Sequence, residues 1–153
     1  MSRPVVSTRF VVALCLALVL APSFAFGAKP VNADKIAELE QRAEKAQPEE
    51  QCYLFAQLVS QMGEVADRQL ADGDAERAAQ TLARMEAYTS RIHQSLGPKN
   101  KRLKESEILV RETTRRVESM FHQAAIEQQD MLRGTLHKLN ALQSELMMTV
   151  FQH

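Results

Sequence analysis

The sequence contains no tryptophan and, in 153 residues, only five glycines, five prolines and two cysteines. So few turn-forming residues argue against a sheet protein, and the abundance of Ala, Leu, Glu, Gln and Arg favours helix. Catalytic signatures are missing as well. There is no His-Glu-x-x-His, no glycine loop to cradle phosphates and no serine in a strand-to-helix elbow. Glu118 and His122 lie four apart on one helical face with His137 further on, but no second carboxylate–histidine pair completes a two-metal site of the bundle type. Met120, Met131, Met147 and Met148 together with His122, His137 and His153 suggest copper at most, and methionine at helical spacing is ordinarily core filler. The expectation is therefore no catalytic residue, no cofactor and no resident metal. A nucleic-acid partner is not expected either, since the chain is near neutral and its basic stretches carry no interleaved aromatics.

The N-terminus is the most informative stretch. Arg3 and Arg9 precede an unbroken apolar run of 12 residues from Phe10 to Ala21, followed by Pro22 and small residues. This is the charge, apolar core and small-residue order of a secretory signal peptide. Residues 1–27 are read as that leader, with cleavage after Ala25 or Gly27, and 28–153 as one helical domain. The competing reading is an uncleaved membrane anchor, because Phe10 to Ala28 carries no charge over 19 residues and a span needs about 20. Pro22 and Gly27 weaken it. Both readings put the remainder outside the cytoplasm, in a bacterial periplasm or beyond.

Loss of the leader removes Arg3 and Arg9, leaving seventeen basic residues against nineteen acidic, and leaves Cys52 as the one thiol. An intramolecular disulfide is then excluded. Tyr53, Leu54 and Phe55 beside Cys52 favour burial over pairing with another chain. The charge is also unevenly spread. Asp34 to Glu76 holds eleven acids and four bases, whereas Arg77 to Lys138 holds twelve bases and seven acids. Such halves attract when helices fold back on one another. The sharper alternative is that Lys99, Lys101, Arg102, Lys104, Arg111, Arg115 and Arg116 form a basic patch for an anionic surface such as a membrane or polysaccharide.

Apolar residues recur at helical spacing along the whole remaining chain. Ile36, Leu39, Ala43 and Ala46 predict a short first helix. Pro48, with Glu49 and Glu50 beside it, suits the start of a second, which runs to about Ala71 on a stripe of Cys52, Phe55, Val59, Met62 and Ala66. Asp72-Gly73-Asp74 ends that helix and caps a third, making an antiparallel hairpin, and Gly97-Pro98 stops the third. From Lys99 to Phe151 there is no proline and one glycine. Leu103, Val110, Val117 and Phe121 lead into Leu132, Leu136, Leu139, Leu142, Leu146 and Val150, which predicts one long C-terminal helix or two collinear ones jointed near Gly134.

The fold class is thus all-α: an antiparallel helical hairpin preceded by a short helix and followed by a long one, an elongated, coiled-coil-like bundle. At ~1.5 Å per residue the last helix would extend to roughly 75 Å, beyond what the hairpin can cover. Leu132, Leu136, Leu139, Leu142, Leu146 and Val150 then form an interaction seam for a partner protein, a second copy being the simplest, unless a fold at Gly134 closes a monomeric bundle. The functional expectation is a non-enzymatic exported protein of the cell envelope acting through helix-mediated interaction or self-association. The alternative is a small periplasmic helical chaperone or a ligand- or metal-binding protein.

Overall fold

The computed structural model describes residues 31–152; the leader and its cleavage points lie outside the described residues. The fold is all-α, with five helices among the described residues: α1 Val31–Lys45, α2 Pro48–Ala71, α3 Ala75–Ser95, α4 Leu103–Gln123 and α5 Ile126–Phe151. The first three follow their local signals. Pro48 occupies the first turn of α2 with Glu49 and Glu50 behind it, where a missing N–H costs nothing and negative charge meets the positive helix end. Gly73 takes φ 79° in the turn after α2. The Asp74 side chain then caps α3 by accepting from the Arg77 backbone N–H at 3.2 Å, so α2 and α3 form the expected hairpin.

The long C-terminal helix does not form. Ala124 and Ala125 are both extended, with ψ 148° and 155°, and the chain reverses between α4 and α5. No glycine or proline causes this break. Gly134, the anticipated joint, lies in the interior of α5. The cause is tertiary: the reversal buries Leu132, Leu139, Leu142 and Leu146 to 3% exposure or less, at about 1.5–3 kcal/mol for each leucine. Interrupting a helix forfeits a few hydrogen bonds worth about 1 kcal/mol each, and the Gln129 side-chain amide recovers one by donating to the Ala124 carbonyl at 3.3 Å.

The expected interaction seam is therefore interior. Leu132, Leu139, Leu142 and Leu146 belong to the core, and Leu136 and Val150 are half-buried against it.

The molecule is two helical hairpins side by side, α2–α3 and α4–α5. They share one polarity: Arg116 of α4 meets Glu64 and Asp67 of α2, Lys101 just before α4 meets Glu50 near the start of α2, and on the other side Glu86 of α3 meets Thr135 and His93 meets Glu145 of α5. The backbones of the four helices neighbour one another in a ring, in the order α2, α3, α5, α4. The α3–α4 connection consequently crosses the base of the bundle, held there by the Lys101 N–H donating to the Glu49 carbonyl at 2.8 Å.

Helix α1 lies along the outer side of the first hairpin. Ile36, Leu39 and Ala43 enter the core, and two arginines of α3 clamp it: Arg84 pairs with Glu40, and Arg91 grips both oxygens of Glu44 while its guanidinium sits 4.4 Å over the Phe55 ring. The Tyr88 hydroxyl adds a hydrogen bond by donating to Glu40 at 3.0 Å. No helix among the described residues is long and apolar enough to cross a membrane.

Candidate functional site: a basic groove at the base of the bundle

Where α1 ends, α2 begins and the α3–α4 connection crosses beneath them, the surface opens into a groove of about 570 Å³. Its walls have three origins. The last turns of α1 contribute Glu38, Gln41, Arg42 and Lys45, the first turns of α2 contribute Glu50, Tyr53 and Leu54, and the crossing segment contributes Lys101 and Arg102. Four cations thus face two carboxylates. Lys101 pairs with Glu50 at 3.3 Å, whereas neither Arg42 nor Lys45 makes an ion pair with any described residue. Their bland role is to sit in the last turn of α1, where positive charge complements the helix dipole.

Arg102 is the most constrained group in the groove. It adopts φ 60°, the one positive φ outside glycine among the described residues, a conformation that costs a residue with a side chain on the order of 1 kcal/mol. Its guanidinium carbon lies over the Tyr53 ring, 3.7 Å from the centroid. A cation this close to a ring face is held by the negative face of the aromatic quadrupole; the other described contact is a loose one from its Nε to Glu105 at 3.7 Å. The Tyr53 hydroxyl accepts from Gln57 at 3.1 Å, so its own hydrogen is left to donate.

The basic patch expected from sequence is split by the fold. Lys101 and Arg102 enter the groove, while Arg111 pairs with Glu107 and Arg116 with Glu64 and Asp67. Lys99, Lys104 and Arg115 are exposed along the crossing segment and the outer side of α4. Sequence reasoning missed the opposite wall, Arg42, Lys45 and Tyr53. The three-residue spacing of Arg42 and Lys45 was visible, but nothing local says that a segment some sixty residues later returns beside them.

A second groove of about 540 Å³ lies at the other end of α1, floored by Ile36, Met62 and Val65 and edged by Arg68, Arg77 and Arg84. Arg77 and Arg84 are already engaged by Asp74 and Glu40.

The thiol, the histidines and the partly buried ion pair of α4 lie elsewhere. Cys52 is fully buried, and burial pushes its thiol up to about 11 despite a hydrogen bond with Ser106. Glu118, His122 and His137 are exposed, and no group of three metal-binding side chains converges among the described residues. Arg91 holds the Glu44 carboxyl below its usual range through their hydrogen bond, and burial, then the neighbouring Glu40, raises Tyr88. Both shifts belong to the α1 clamp. Inside α4 a buried Glu107 pairs with a half-exposed Arg111, with one oxygen of Glu107 and Nε of Arg111 bonded to no described group. Compared with family models, with curated proteins and with solved structures, the chain matches none.

Proposed function

We propose that this protein is an exported, non-enzymatic component of the cell envelope that acts by binding another protein along its helix surfaces. The observation that carries the reading is the way α1 is laid along the α2–α3 hairpin, leaving an open groove of 570 or 540 Å³ at each of its ends. Clefts of this size between helices, with mixed polar and apolar walls, suit chain segments or small ligands. Export rests on the Arg3, Arg9 and Phe10–Ala21 leader pattern.

Self-association through the Leu132–Val150 seam is not part of the proposal, because those side chains are used within the chain.

Site-specific photo-crosslinking tests the reading. A photoreactive residue at Gln41, in the basic groove, should yield a discrete adduct with another protein in the extracytoplasmic fraction, and one at Asn140, on the outer face of α5, should not. The processed chain should begin at Phe26 or Ala28. Absence of any adduct from Gln41, or recovery of the chain only in the cytoplasm, would sink it.

One observation favours the chaperone alternative: Met147, Met148 and Phe151 are 40%, 58% and 82% exposed on the last turns of α5, where apolar clients could be held. Under that alternative the purified protein suppresses aggregation of an unfolding client, and Met148→Ser with Phe151→Ser abolishes the effect.

A further inference from the structure

We propose that the basic groove at the base of the bundle recognises an acidic peptide segment, one that carries spaced carboxylates between apolar side chains. The inference rests on the protein-binding reading above and names the chemistry of the partner. Arg42 and Lys45 have no ion-pair partner among the described residues, Lys101 has one in Glu50, and Arg102, held over the Tyr53 ring, carries a guanidinium, whose forked donors suit a carboxylate. The rest of the lining includes apolar and aromatic groups, Ala46, Leu54 and Tyr53, beside Gln41 and two acids.

Glu38 and Glu50 face the same groove, and they separate the candidates. A dense polyanion, such as a lipid headgroup array or a phosphate polymer, would set its charge against both acids. A peptide can space its carboxylates onto the cations and lay apolar side chains between them. The strain at Arg102 fits a positioned residue, since glycine would satisfy that backbone without cost and would carry no guanidinium.

The test is fluorescence anisotropy of the purified protein with three labelled peptides of one length, alternating leucine with glutamate, glutamine or lysine. The glutamate peptide should bind and the other two should bind at least about tenfold more weakly, a difference of about 1.4 kcal/mol, with affinity falling as salt rises. Arg102→Gly removes the guanidinium while relieving the positive φ, so the variant should melt no lower than the parent yet bind the glutamate peptide at least about tenfold more weakly. Arg42→Gln with Lys45→Gln should act in the same direction, and Arg133→Gln on α5 should change nothing. Equal binding of the glutamine peptide, or an undiminished affinity in Arg102→Gly, overturns the proposal. So does saturable binding of inorganic phosphate or of phosphatidylglycerol vesicles that the same substitutions abolish, because the occupant would then be a phosphate. A persisting Gln41 adduct alongside failure of the glutamate peptide refutes only the acidic chemistry; loss of the adduct as well refutes the protein-binding reading.

Discussion

Gly63 and Gly134 both lie inside helices, where glycine costs about 0.5–1 kcal/mol relative to alanine, yet only one of them has a structural reason. A Cβ at Gly63 would stand 2.9 Å from Cγ2 of Thr113, at the crossing of α2 and α4. Thr113 cannot easily give way, since it is β-branched and its hydroxyl donates to the Leu109 carbonyl at 2.8 Å. Gly63→Ala should therefore destabilise by about 1–3 kcal/mol, as overpacking does. At Gly134 a Cβ meets nothing within 4 Å, so Gly134→Ala should stabilise by about 0.5–1 kcal/mol. Urea titration of the two variants against the parent checks the opposite signs. Cys52 gives a third residue-scale expectation. Its folded pKa of about 11 lies above the ordinary value of 9.0. The stabilisation this represents is present below pH 9 and lost as pH rises from there towards 11. At neutral pH a thiol reagent should label the native protein only as fast as the chain opens, and rapid labelling would contradict burial. Burial of Cys52 was legible from its apolar neighbours. The reason for Gly63 was not, because its partner lies fifty residues away and the glycine reads locally as a defect.

At the scale of the helix, what was written locally came out within a residue or two. Pro48 started α2, Asp72-Gly73-Asp74 separated α2 from α3, and Gly97-Pro98 closed α3. The α4–α5 boundary had no such mark, because His122-Gln123-Ala124-Ala125-Ile126 contains good helix formers and no breaker. The periodicity marked Leu132, Leu136, Leu139, Leu142, Leu146 and Val150 as an apolar stripe but assigned its cover to a partner protein; the cover within the chain depends on a reversal that propensity does not encode. Substitution at the reversal separates the two arrangements. Ala125 has φ −62° and ψ 155° and follows the extended Ala124, so proline fits its backbone and its predecessor alike. Ala125→Pro should be neutral or stabilising by up to about 1 kcal/mol. In a continuous helix the same change would cost about 3 kcal/mol. Thermal unfolding followed by circular dichroism decides between them, and a large drop in Tm would mean that α4 and α5 are one helix.

Across the whole molecule, the uneven charge of the sequence becomes a rule of assembly. Acids from the first half meet bases from the second: Glu40 with Arg84, Glu44 with Arg91, Glu50 with Lys101, and Glu64 and Asp67 with Arg116. These pairs join α1 to α3, α2 to the crossing segment and α2 to α4, so they select which helices lie side by side rather than stiffening any one of them. The same pairing engages Lys101 and Arg116 of the expected basic patch and turns Arg116 towards α2, away from the groove, which is why the groove had to be found from the fold. Exposed pairs are individually weak and screened by salt. Their shared direction across the bundle nevertheless predicts a Tm that falls by a few degrees between low and high sodium chloride. Acid should act on the same contacts. Arg91 depresses the Glu44 carboxyl below its ordinary value of 4.5, so its stabilising contribution is present above pH 4.5 and is lost as pH falls through the lowered folded value. Replacing Arg84 and Arg91 together by glutamine should flatten the salt dependence and weaken the acid transition. It should also loosen α1, read as faster amide exchange over Ile36–Ala43 while α4 and α5 stay protected. A Tm that is flat or rises with sodium chloride in the parent would show that the apolar face of α1, and not the opposed charges, holds it on the hairpin.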